Sequence, residues 1–169
     1  PVAQPPAEEV AVDLDGLADL AAQMVKAGDV EDALDLLRDH LHTTAAEDSR
    51  CWRIAANAMA RMGLDENAIE SFNYALGLDN EDASSWYNLG TLHRKAGHSD
   101  TAATCFETAL SLRGDYGNAA KALADISMQL GRLDQSIDAW RSLLNSEPLH
   151  PDRAEFAQLL VDIGEGESA

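Results

Sequence analysis

The sequence predicts an all-α solenoid, a stack of helical hairpins closed by one further helix. Three observations carry that prediction. Gly28, Gly63, Gly97 and Gly131 stand 35, 34 and 34 residues apart. Residues at fixed offsets from each glycine follow one template, and helix start signals recur on both sides of it. A period of that length marks units that cannot bury their apolar faces alone and therefore stack on their neighbours.

Eleven residues before the glycines stand Leu17, Trp52, Trp86 and Ala120, eight before them Leu20, Ala55, Leu89 and Leu123, and seven before them Ala21, Ala56, Gly90 and Ala124. Five after come Ala33, Ala68, Ala102 and Ser136, nine after Leu37, Phe72, Phe106 and Trp140, and twelve after His40, Ala75, Ala109 and Leu143. Small residues seven before and five after suit the crossing of two antiparallel helices. Only Gly, Ala or Ser there lets the backbones approach closely enough for the neighbouring large side chains to interlock.

The elements follow in order. Helices are expected at about 14–27, 30–43, 49–62, 65–78, 83–96, 99–112, 116–130, 133–145 and 151–163. Each glycine ends a first helix with φ > 0. Asp48-Ser49, Asp82 and Asp115 mark starts of first helices, and Asp29, Asp65 and Ser99 mark starts of second helices. The last helix has Ala154, Phe156, Ala157, Leu159, Leu160 and Ile163 interleaved with polar residues. That pattern predicts a cap packed on the hairpin ending at Asn145, because a bare last hairpin would expose an apolar face.

The run Trp86-Tyr87-Asn88-Leu89-Gly90, followed by Gly97, Ala102, Phe106 and Ala109, resembles the tetratricopeptide repeat family. The resemblance covers residues 14–148 as four units, 14–48, 49–82, 83–116 and 117–148, and the third is the most specific. The first departs most, lacking the early aromatic and placing His40 where a small residue is usual. Only the fourth has the terminal proline, Pro148. The resemblance implies a right-handed superhelical solenoid whose first helices line a concave groove. It also implies a protein-interaction scaffold, not an enzyme, and names no partner.

Residues 1–13 read as a flexible, proline-rich acidic leader, and 149–169 as the capping helix with a short tail. A chain that starts at Pro1 is expected to be an excised piece or a processed form. The net charge of −18 argues against nucleic acid and against anionic membrane surfaces, and no run of about 18 apolar residues offers membrane insertion. Residues 1–48 alone hold twelve acids against Lys26 and Arg38, most simply a solvated surface.

Cys51 and Cys105 are too few for a disulfide framework and fall on different helices. A cytoplasmic setting is the default for such thiols, and a periplasmic or exported domain with two buried thiols would read the same. His40 and His42 point to different faces of one helix, and His93, His98 and His150 lack companions at metal-ligand spacing. No phosphate-binding glycine loop occurs. Asp79-Asn80-Glu81-Asp82 lacks the glycine and spaced glutamate of a calcium loop. Neither a catalytic constellation nor a cofactor is implied.

If the first helices line a groove, its residues follow by offset. Seven of the twelve basic residues, Lys26, Arg50, Arg53, Arg61, Arg94, Lys95 and Lys121, fall in those slots, against only Asp15 and Asp125 of thirty acids. A positive groove on an acidic body favours acidic or carboxylate-bearing peptides. The competing account is that Lys26, Arg61 and Lys95, two before their glycines, merely complement helix C-termini. The candidate peptide site is therefore Arg50, Arg53, Asn57, Tyr87, Asn88, Thr91, Arg94, Lys95, Lys121 and Asp125. Tyr87 is the one aromatic expected to face the ligand rather than the core. Arg53, Asn57 and Asn88 also match three positions of repeat domains that clamp the terminal carboxylate of chaperone tails, while Asn118 and Ala122 break that pattern. The reading is a module that binds a partner protein or peptide. Alternatives are a self-assembling scaffold, formed as a homo-oligomer, and a targeting domain cut from a larger enzyme.

Overall fold

The computed structural model describes residues 12–166, and among them the chain forms nine helices and no strand. These are α1 (Leu14–Ala27), α2 (Val30–Leu41), α3 (Ser49–Arg61), α4 (Asp65–Leu78), α5 (Ala83–Lys95), α6 (Ser99–Leu112), α7 (Gly117–Gln129), α8 (Leu133–Ser146) and α9 (Arg153–Gly166). Most of the leader expected at 1–13 lies outside the described residues. Its last residue belongs to the fold, because the Asp13 carboxylate caps α1 by accepting from the Gly16 N–H at 3.1 Å.

Two compact units divide the chain, Pro1–Leu78 and Asp79–Ala169. In the first, α1 pairs with α2 and α3 with α4, and α3 also packs on α1 and α2. In the second, α5 pairs with α6 and α7 with α8, α6 packs on α7, and α9 rests on α8. Leu37, Leu41, Trp52 and Ile54 are among the core of the first unit, and Phe106, Leu123, Ile126, Trp140 and Leu143 among that of the second.

The hairpin turns repeat one geometry. All four period glycines have positive φ, between 70° and 108°. The next residue's N–H reaches back to a carbonyl five residues earlier: Asp29 to Met24, Leu64 to Met59, His98 to His93 and Arg132 to Ser127, at 2.8–2.9 Å. That bond satisfies a carbonyl the helix end would leave orphaned, and it needs the left-handed residue that glycine supplies without strain.

The crossing slots behave as the template requires. Ala21, Ala56, Gly90 and Ala124 are buried, and so are Ala33, Ala68, Ala102 and Ser136. At Gly90 the approach is too close for any side chain, since a Cβ there would come within 2.8 Å of the Phe106 ring. Ser136 solves the cost of a buried hydroxyl by donating to the Ala124 carbonyl at 2.9 Å. The two early tryptophans also tie down the loops before their helices. Trp52 donates its indole N–H to the Ala46 carbonyl and Trp86 to that of Asn80, both at 2.9 Å.

Some expectations fail. Leu20 is 50% exposed while its counterparts Ala55, Leu89 and Leu123 are buried; α1 is the first helix of the described residues, and no described element covers that strip. Asp48 and Asp82 cap as expected, but Asp115 and Ser99 do not. Tyr116 and His98 hold those cap positions without side-chain bonds. At α7 the turn is closed by backbone instead, with the Tyr116 N–H on the Arg113 carbonyl and that of Gly117 on Asp115. Asp29 stands at the α2 cap position without a side-chain bond, and α4 begins at Asp65 itself. In α9, Phe156 is buried but Ala154 and Ala157 are exposed, and Leu159, Leu160 and Ile163 lie outside the described side chains.

The crossings give the first prediction. Ala102→Leu should destabilise the protein by on the order of 1–3 kcal/mol in urea unfolding, because a buried slot between α5 and α6 has no room for the added carbons. An unchanged midpoint would show that the slot is slack.

Candidate functional site

Three of the candidate residues, Arg50, Arg53 and Asn57, lie on α3 in the first unit, and each has a partner. Arg50 grips Asp48, with Nη2 on Oδ2 at 2.7 Å and Nε on Oδ1 at 3.2 Å, and it pairs with Asp15 of α1 at 2.6 Å. Asp48 is at the same time the cap of α3. The hydrogen bond from Arg50 is the main reason its carboxyl sits below the usual range, burial opposing and the Cys51 and Arg50 N–H groups adding to it. Arg50 is thus a structural tie between α1 and the start of α3, not a free groove cation. Arg61 is likewise engaged, donating to the Val25 carbonyl near the end of α1, the capping role that its position two before a glycine allows. Arg53 and Asn57 are half-buried, and each has a partner.

The second unit brings several candidates together. An open pocket of about 700 Å³ is lined by Arg94 from α5, Lys121, Asp125 and Met128 from α7, Trp140 from α8 and Glu155 from α9. Arg94, Lys121 and Asp125 therefore share one concavity, as their offsets predict. Its electrostatics differ from the expected positive groove. The Lys121 ammonium lies 3.1 Å from Asp125, 3.2 Å from Asp152 and 3.6 Å from Glu155, and 4.5 Å from the centre of the Trp140 ring. Burial works against its charge, yet the bonds to Asp125 and Asp152 prevail and hold its pKa above the ordinary lysine value. Three carboxylates around one ammonium leave Lys121 no surplus charge for an acidic ligand. Two of those acids come from α9 and the turn that leads into it, which the groove offsets do not include.

The remaining candidates sit around α5. Tyr87 is half-buried, its ring 5.7 Å from Phe106 and 5.2 Å from Tyr116, so it packs onto the core rather than presenting an open platform. Thr91 donates its hydroxyl to the Tyr87 carbonyl at 3.0 Å. Asn88 and Lys95 each have a partner. Arg94 is exposed, 5.6 Å from the Phe106 ring centre, and makes no ion pair among the described residues. Ala122, one of the two positions that break the chaperone-tail pattern, is buried in the core. Sequence reasoning missed α9 as a wall of the pocket. The readable signal was Asp152 and Glu155, three apart and directly before Phe156.

Among the described residues no three His, Cys, Asp or Glu side chains gather as metal ligands would, and no helix is long and apolar enough to cross a membrane. Cys51 and Cys105 are buried and unbonded. Burial pushes both thiols up to about 11, so at neutral pH neither offers the thiolate that reacts. Iodoacetamide should leave both unmodified in the native protein and alkylate both in denaturant, by intact-mass measurement. Rapid native labelling of either would contradict its burial.

Comparison with known proteins gives a family-model match over part of the chain. Residues 87–160 match the family model for the tetratricopeptide repeat, a span that holds every pocket residue named above. Comparison with curated proteins gives no match. Solved structures share the fold. YrrB, a TPR protein with an unusual peptide-binding site, aligns with a TM-score of 0.76 at 19% identity, over 88% of this chain and 76% of its own. TTC0263, a thermophilic TPR protein in Thermus thermophilus, aligns at 0.67 and 23%, over 91% and 84%. The Yersinia enterocolitica type III secretion chaperone SycD, in complex with a peptide of the translocator YopD, aligns at 0.65 and 21%, over 72% and 98%.

Proposed function

We propose that this chain, a tetratricopeptide repeat protein, is a non-catalytic interaction module that takes a segment of a partner protein into the pocket between α5, α7, α8 and α9. The observation that carries the reading is the pocket's make-up. Ala124, Met128 and Trp140 provide an apolar floor, and Arg94 stands at its edge without an ion pair among the described residues. An apolar side chain of the partner fills the floor, and a carboxylate on the same segment meets Arg94, where a guanidinium can bind it through two parallel hydrogen bonds. YrrB's peptide-binding site and the peptide held by SycD support a protein partner as the use of this fold.

The acidic preference now rests on Arg94 alone rather than on a row of cations. A panel of twelve-residue peptides, apolar–acidic against apolar–basic, can be titrated into labelled protein and followed by NMR. Apolar–acidic peptides should move the Arg94 and Met128 resonances. Arg94→Glu should weaken them roughly tenfold, at almost no cost to stability, because an exposed charge contributes little to the fold. Equal affinity for basic peptides, or indifference to Arg94→Glu, would remove the acidic preference.

A further inference from the structure

Among the described residues, Asp152, Glu155 and Phe156 join α9 and the turn before it to Lys121 and Trp140. Asp152 and Glu155 reach Lys121 on α7 at 3.2 and 3.6 Å, and Phe156 stacks on Trp140 of α8, ring centres 5.7 Å apart and planes 23° apart. Phe156 is 8% exposed, while Ala154, Ala157, Gln158 and Val161 of the same helix are exposed. Residues three and four apart share a helix face, so the two carboxylates and the ring present one surface to Lys121 and Trp140. The other helices of this unit are joined by small-residue crossings and interlocked aromatics. Among the described side chains, α9 and the turn before it contribute an aromatic stack and two bridges to Lys121 whose carboxylates are 36% and 67% exposed, a kind of ionic contact that solvent weakens.

These are the groups a partner segment bearing a carboxylate and an apolar anchor would supply. Resting on that reading of the pocket, we infer that Asp152, Glu155 and Phe156 occupy part of the partner site as an internal competitor. The partner segment carries the same pattern on a helix: two carboxylates three residues apart, followed at once by an aromatic. Its carboxylates replace those of α9 on Lys121, its ring replaces Phe156 on Trp140, and α9 leaves the pocket wall. Because α9 is tethered beside the site, its effective concentration is on the order of millimolar. A free segment in the micromolar range gains the site only when it binds more tightly or when the α9 bridges are weakened.

The test uses the full chain and a fluorescent peptide spanning residues 150–161 of the same sequence. Asp152→Asn with Glu155→Gln removes both bridges and leaves Phe156 in place. This double variant should bind the peptide roughly fivefold more tightly than the wild type, because less of the site is held by α9. Lys121→Gln in the same background should abolish the gain. In the wild type, saturating peptide should shift the Ala157 and Val161 resonances as α9 leaves. Equal affinity of wild type and double variant, or peptide binding with Ala157 and Val161 unmoved, overturns the inference. Should the double variant lose helix by circular dichroism, those wild-type resonances decide alone. If apolar–acidic peptides bind through Arg94 while this peptide fails to displace α9, the inference falls and the pocket reading stands. If this peptide displaces α9 and Arg94→Glu changes nothing, the reverse holds.

Discussion

The space between paired helices is what the rest of the structure depends on. Gly90 sits so close to Phe106 that a Cβ would fall 2.8–2.9 Å from its ring carbons, and the same slots elsewhere hold only Ala or Ser. Close approach lets Phe72, Phe106 and Leu37 bury completely, and complete burial of such side chains stabilises each unit by roughly 1.5–3 kcal/mol apiece. The turn geometry serves the same end. A left-handed glycine after each first helix sets where the second helix begins, and therefore which residue arrives at the crossing. Shift that register by one and a large side chain would meet the small slot.

Dependence of this kind explains what could be read from the chain. Spacing along one helix or across one tight turn is periodic, so the hairpins, the positive-φ glycines and the buried aromatics were legible from residue type and number. Capping was half legible. Asp48 and Asp82 cap because their side chains precede free N–H groups, but Asp115 stands one residue too early once the backbone closes its own turn onto Arg113 and Asp115. Leu20 obeyed the template in sequence and still lies at the surface, since burial depends on a neighbouring helix that the residue's own offset does not specify.

The lining of the pocket was legible in position and its charge was not. Offsets from the glycines put Arg94, Lys121 and Asp125 around one pocket, as the structure does. They could not tell that Asp15, from another helix, would join Asp48 on Arg50, or that α9 would bring Asp152 and Glu155 to Lys121. Such pairs form through space between elements and leave no period. With thirty acids and twelve bases in the chain, a base that approaches any second helix is more apt to meet an acid than to stay free. A count of cations in groove slots therefore overstates the positive charge that a ligand would feel.

That imbalance bears on how an acidic segment could be held at all. A chain with a net charge of −18 repels such a segment while it is still distant, and salt confines that repulsion to about 8 Å at physiological ionic strength. Steering by the whole field cannot be the source of binding here. Attraction must come from groups that act at contact: the apolar floor of Ala124, Met128 and Trp140, which gains from burial regardless of charge, and a guanidinium placed at its edge. The lysine deeper in the pocket plays a different part. Matched by three carboxylates, two of them from α9 and the turn before it, it ties that helix to α7 and so helps set the shape of the wall.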